Sequence, residues 1–91
     1  MRDNNLRLDG NAAGGLLNEI FRFEMTAAKA TCRGCGTMRP IGELILYRHG
    51  MGATLRCAGC DTALIRITNI RGYYRLDLSG MSCLQIEADI H

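Results

Sequence analysis

Tryptophan is absent from this 91-residue chain and aromatic residues make up only 5% of it, which excludes a core built on large rings. A domain of this length buries only about 60–65% of the surface its unfolded chain exposes. The interior is therefore expected to be aliphatic and thin, and to need a second source of stability. A second domain is excluded as well, because each half would have too little interior to offset the entropy of ordering its backbone. The opening Met1-Arg2-Asp3-Asn4-Asn5-Leu6-Arg7 lacks the apolar stretch of a secretory signal. No later window approaches the ~20 apolar residues of a membrane span. A cytoplasmic protein without a membrane partner is expected. Also missing are a nucleophile elbow, a Gly-x-Gly-x-x-Gly turn after a strand and a Walker-type phosphate loop, so no enzyme is expected.

Five cysteines in so short a chain are the positive signal. In a reducing compartment they point to metal ligation more than to disulfides, and an odd number pairs badly. Cys32-Arg33-Gly34-Cys35-Gly36 and Cys57-Ala58-Gly59-Cys60-Asp61 form a C-x2-C…C-x2-C array with twenty-one residues between the pairs, the spacing of a four-cysteine zinc site. Two intervening residues let both sulfurs of a pair reach one ion at about 2.3 Å. Gly36 can adopt the left-handed conformation that aims N–H groups at thiolates, and Asp61 tolerates it less well. A structural ion contributes on the order of 10 kcal/mol when its site forms on folding, which would supply what the core lacks. Four protein ligands leave no open position, so the metal is expected to be structural rather than catalytic. Small buried thiols, a pair of reactive dithiols, or iron on the same sulfurs are the alternatives. Cys83 is expected to point inward as a packed thiol. His49, in a turn, and the terminal His91 are expected on the surface.

The chain is expected to be one domain over residues 1–91, with a helical segment about 9–22, a ribbon core about 30–80 and a last strand about 81–87. The stripe Ala12, Ala13, Leu16, Leu17, Ile20 and Phe21 predicts the helix, capped by Asp9 or Asn11. Gly14 and Gly15 lie inside it, so either the helix starts after them or another backbone packs closely there. A period of two predicts strands over Phe23–Ala28, Glu43–Tyr47, Ala53–Cys57, Ala63–Thr68, Tyr73–Leu78 and Met81–Ile86. Glycines in His49-Gly50-Met51-Gly52 are expected to supply positive φ for a hairpin turn, and Asn69-Ile70-Arg71-Gly72 forms another. Tyr74, Leu76 and Leu78 are expected to face inward. The sum is a small α+β fold: an N-terminal helix packed on an antiparallel sheet of five or six strands, with two Cys-x-x-Cys knuckles at one end.

From Cys32 to about Leu78 the chain resembles a zinc ribbon. More narrowly, Leu8-Asp9-Gly10-Asn11 before a helix, the two knuckles, and Gly80-Met81-Ser82-Cys83-Leu84 resemble an uncharacterised family of small bacterial zinc-ribbon proteins, a domain of unknown function. The resemblance implies zinc at Cys32, Cys35, Cys57 and Cys60, and no established activity. Arg33 and Ala58 stand where many zinc ribbons have proline, and Asp61 replaces a second glycine. These departures leave the ligands untouched and weaken the transfer of nucleic-acid roles from transcription-related ribbons.

Net charge is +2, but residues 32–75 hold seven basic and two acidic side chains while residues 76–91 hold none and three. Loading Zn²⁺ with loss of four thiol protons brings the whole close to neutral. Arg33, Arg39, Arg48, Arg56, Arg66, Arg71 and Arg75 with Tyr47, Tyr73 and Tyr74 suit phosphate contact and base stacking. They suit a solvated strand face equally. The leading expectation is a non-enzymatic zinc-binding module that engages a protein partner through its helix or a sheet edge. A nucleic-acid-binding ribbon is the alternative, and an iron–sulfur carrier the third.

Overall fold

The structure is a computed structural model that describes residues 7–21 and 23–87. Strand β1 (Arg7–Asp9) leads into a 3-10 turn at Gly10–Ala13 and helix α1 (Gly14–Ile20). A second 3-10 turn, Met25–Ala27, precedes β2 (Lys29–Cys32) and β3 (Met38–Pro40). After a third at Ile41–Glu43 come β4 (Ile45–His49), β5 (Gly52–Arg56), β6 (Ala63–Ile70), β7 (Tyr73–Asp77) and β8 (Met81–Gln85).

These strands form two antiparallel sheets, not the single one expected: β1-β4-β5-β6-β7 and β3-β2-β8. The reason is a non-local pairing. After β7 the chain leaves the meander and lays β8 against β2, with Ala30 opposite Leu84. Local alternation cannot signal such a step, because it reports which face a residue takes and not which strand lies beside it.

The helix is shorter than the stripe suggested. Asp9 caps the 3-10 turn, accepting from the Asn11 N–H at 3.1 Å, and the regular helix then runs through both glycines. Neither Gly14 nor Gly15 has a backbone against it; the close approach occurs instead at Gly10, where a Cβ would come within 1.9 Å of the Ile41 carbonyl oxygen. Arg22, the expected helix end, lies outside the described residues. The strand expected over Phe23–Ala28 is replaced by the 3-10 turn, in which Met25 and Ala28 are buried and the Ala28 N–H donates to the Met25 carbonyl at 3.1 Å. Two buried positions three apart suit such a turn, whereas an alternation would put Met25 and Ala28 on opposite faces.

Ala13 and Leu17 of the helical segment join Leu46, Leu55, Leu64 and Ile67 of the large sheet, Met25, Ile41 and Leu44 of the connections, and Ala30 and Met81 of the small sheet in one core. No polar or charged side chain among the described residues is buried. In β5, Ala53 and Leu55 point inward while Thr54 and Arg56 are half-exposed. The β4–β5 turn uses neither glycine at positive φ. Gly52 is required for space instead, since a Cβ there would meet the Ile67 carbonyl oxygen at 1.8 Å.

Strand β7 departs most from expectation. All five of its side chains are exposed, with Tyr74 at 38% and Leu76 at 37%; only Leu78, at its base, packs on the core. Alternation identified the faces correctly, but β7 is the last strand of its sheet, and helix α1 reaches it through a polar contact, the Tyr74 hydroxyl donating to a Glu19 carboxylate oxygen at 2.6 Å.

Candidate metal centre

Each Cys-x-x-Cys pair occupies the turn of a hairpin, and the two hairpins belong to different sheets. The first turn joins β2 to β3 and the second joins β5 to β6. They repeat the same hydrogen bonds. Cys32 N–H donates to the Thr37 carbonyl at 2.9 Å and Gly36 N–H to the Cys32 carbonyl at 2.8 Å; Cys57 N–H donates to the Thr62 carbonyl at 2.8 Å and Asp61 N–H to the Cys57 carbonyl at 2.9 Å. Gly36 and Asp61 close the turns in the left-handed region, at φ 76° and 67°. In each, a backbone N–H points at the first sulfur: Gly34 to Cys32 Sγ and Gly59 to Cys57 Sγ, both at 3.3 Å.

Facing each other, the turns bring all four sulfurs within 4.8 Å of one another. Cys32 Sγ lies 3.4 Å from Cys60 Sγ, and Cys35 Sγ lies 3.7 Å from Cys57 Sγ. Disulfide sulfurs would stand about 2.05 Å apart, and all five cysteines are free. Four thiolates at 2.3 Å from one tetrahedral ion would be spaced by about 3.8 Å. The donor set therefore fits a metal ion, whose charge would also relieve the repulsion among thiolates. Cys32 and Cys57 are buried and Cys35 and Cys60 exposed, so the cluster has an inner and an outer side.

Thr37 and Thr62, which sequence reasoning passed over, tune these thiols. The Thr37 hydroxyl and N–H hold the Cys35 thiol down to about 6. Burial pushes Cys32 up, but N–H groups of Cys35 and Gly34 and the neighbouring Cys60 and Thr62 side chains bring it below its ordinary value. For Cys60 the Thr62 hydroxyl, 3.0 Å away, and N–H pull down, while Cys32, desolvation of the sulfur and Cys35 push up and prevail. The signal was available: the repeated unit is the six-residue C-x-G-C-x-T, not only its cysteines.

Both third-position glycines are sites of close approach. A Cβ on Gly34 would sit 2.4 Å from Thr62 Oγ1 and 3.3 Å from Cys60 Sγ; one on Gly59 would sit 2.9 Å from Arg39 Nη2. Arg33 fastens the first turn to the β7–β8 connection, donating to the carbonyls of Ser79 and Met81, each at 3.1 Å.

The chain matches the family model described as a family of unknown function over residues 2–89. It belongs to DUF6510. No curated protein and no solved structure matches the chain. Membership in DUF6510 agrees with the resemblance to a family without assigned activity. Among the described residues no helix is long and apolar enough to cross a membrane.

The remaining expected residues are dispersed. Cys83 is exposed on β8, opposite Thr31 and apart from the cluster, so it is not the packed thiol expected. A register shift between Thr31 and Cys32 puts Met81 inward in its place. His49 is exposed at the end of β4 rather than in the turn, with its Nε2 3.1 Å from Thr54 Oγ1. His91 lies outside the described residues. The seven arginines do not form one patch: Arg33 is tied to backbone carbonyls, Arg39 sits beside the second turn, and Arg48 donates to the Ala12 carbonyl at 3.2 Å. Strand register puts Tyr47, Arg56, Arg66, Tyr73 and Arg75 on one face of the large sheet and Tyr74 on the other.

Proposed function

We propose that the chain is a non-enzymatic, zinc-ribbon-type domain of the cytoplasm. Cys32, Cys35, Cys57 and Cys60 hold one structural Zn²⁺ that joins its two sheets and keeps a protein-interaction surface in shape. One observation carries this reading: four thiols from the turns of two hairpins, in different sheets, lie within 4.8 Å. When bound, the ion supplies cross-linking and charge neutralisation. Every ligand comes from the protein, so the centre offers no open position for a substrate or an activated water. Reduced thiols of this kind belong in a compartment that keeps them so.

Elemental analysis of the purified chain tests the metal. The expected result is one zinc per chain and no visible absorption. Iron with a red colour, or no metal at native yield, would overturn it. Identification of what co-purifies from the native cell tests the interaction role.

A second reading, single-stranded nucleic acid on the open sheet face, draws on the shared side of Tyr47, Arg56, Arg66, Tyr73 and Arg75. Against it stand Asp77, opposite Arg66, and Asp61, whose carboxylate lies 3.7 Å from Arg56. Oligonucleotide affinity that falls steeply with salt would favour it over the protein partner.

A further inference from the structure

The hairpin β6–β7 turns through Arg71 and Gly72, both left-handed at φ 54° and 84°. Two-residue loops of this kind close on a hydrogen-bonded pair, here Ile70 and Tyr73. Asn69 sets the same phase independently: its N–H is given to Met51 of the β4–β5 turn, at 2.8 Å. The even-numbered residues of β6 therefore direct their backbone groups at β7. It follows that Tyr73, Arg75 and Asp77 bond back to β6, whereas Tyr74 and Leu76 aim N–H and C=O away from the sheet. Among the described residues no strand pairs with this outer edge.

An edge with free backbone groups is usually guarded by charge. The charges on β7 are Arg75 and Asp77, opposite in sign and two apart, hence on the same face. They repel neither each other nor a reversed copy of themselves. The apolar residues of the strand are incompletely covered: Tyr73 is 74% exposed, and Leu76 and Tyr74, whose hydroxyl donates to Glu19 at 2.6 Å, are each more than one-third exposed.

We propose that β7 pairs antiparallel with β7 of a second copy about a two-fold axis at Leu76, joining two five-stranded sheets into one. This rests on the reading of the chain as a protein-interaction module and names its partner. In that register Leu76 meets Leu76 of the second copy, Tyr74 meets Leu78 twice, and Arg75 meets Asp77 twice. Within each chain Arg66 is opposite Asp77, Thr68 opposite Arg75, and Ile67 opposite Leu76. One row across the axis then reads Arg66, Asp77, Arg75, Thr68, with opposite charges adjacent. The row through the axis is Ile67, Leu76, Leu76, Ile67, an unbroken apolar stripe. Centring the axis on Arg75 would set that arginine against itself. Centring it on Tyr74 would leave Leu76 facing the turn glycine Gly72. A short edge buries little area, so the association belongs to the weak, reversible class.

Sedimentation equilibrium of the metal-loaded full chain, from micromolar to millimolar concentration, tests this, with Arg75→Glu and Asp77→Lys as variants. Wild type should pass from monomer to dimer. Each variant alone places like charges opposite each other twice and should weaken dimerisation at least about tenfold. An equimolar mixture of the two restores both attractive pairs in the heterodimer and should dimerise as wild type does. A wild type that stays monomeric throughout overturns the proposal, as do variants that dimerise unimpaired. Metal content measured on the same samples decides the zinc reading separately: monomers with one zinc per chain would sink the dimer alone.

Discussion

The turns at Cys32–Thr37 and Cys57–Thr62 are near copies in backbone and differ in how they are anchored. Each directs an N–H at its first sulfur, buries that cysteine, exposes the second and ends on a left-handed residue. Yet the first carries Arg33, tied to Ser79 and Met81, where the second carries an exposed Ala58. Gly34 is pressed against Thr62, whereas the close neighbour of Gly59 is the end of Arg39. The shared features are what thiolate coordination demands. The differences come from the sheet each turn must be joined to, so mutations at equivalent positions should separate the two roles.

The largest effect is expected where the turns are alike. Cys32→Ser or Cys57→Ser removes a buried ligand and should abolish metal binding and leave the domain largely unfolded by circular dichroism. The same change at Cys83, exposed and outside the cluster, should cost no more than about 0.5 kcal/mol. Equal losses at all three positions would break the partition.

Acid should release both turns together. The Cys35 thiol is lowered to about 6 without help from a cation, and a bound ion lowers it further. A lowered thiol contributes stability that is complete above its ordinary value and lost as pH falls through the folded one. The protein should therefore keep metal and fold at pH 7 and lose both in a single transition below about pH 6, followed with a zinc-sensitive dye and circular dichroism. Two separate steps would mean the turns do not share an ion.

Where the turns differ, asymmetry is expected. Gly34→Ala forces a Cβ onto the Thr62 hydroxyl and should lower stability by about 1–3 kcal/mol, whereas at Gly59 the flexible Arg39 can withdraw and the loss should stay below about 1 kcal/mol. Chemical denaturation of the two variants decides it, and a larger loss at Gly59 would reverse the assignment. The closing residues should show the same kind of asymmetry. Gly36→Ala puts a Cβ at φ 76° and should cost about 1–2 kcal/mol. Asp61→Gly relieves the same strain but gives up a surface ion pair with Arg56 and loosens the unfolded chain, so it should change stability by less than about 1 kcal/mol.

Much of this centre was legible in the sequence, because a Cys-x-x-Cys turn is local: two residues and a glycine suffice to bring its sulfurs together. Hairpins β4–β5 and β6–β7 were legible for the same reason, and their expected strands differ from the observed ones by one or two residues at the ends. The threonines of C-x-G-C-x-T repeat with the cysteines, but their contact with the sulfurs exists only in the folded turns. The short β1 and β3, three residues each, were not expected as strands, since such segments hold no periodicity to detect.

What the sequence determined alone was therefore the identity of the four clustered thiols, the aliphatic composition of the core and the two hairpins that adjacent residues can form. Tertiary structure decided that there are two sheets, that Met81 and not Cys83 turns inward, and that Tyr74 and Leu76 stand on an open edge. Alternation tells a side chain which face of its strand it occupies. Whether anything covers that face depends on which distant strand arrives beside it, and β8 is brought to β2 by pairings such as Ala30 with Leu84 that no local window contains.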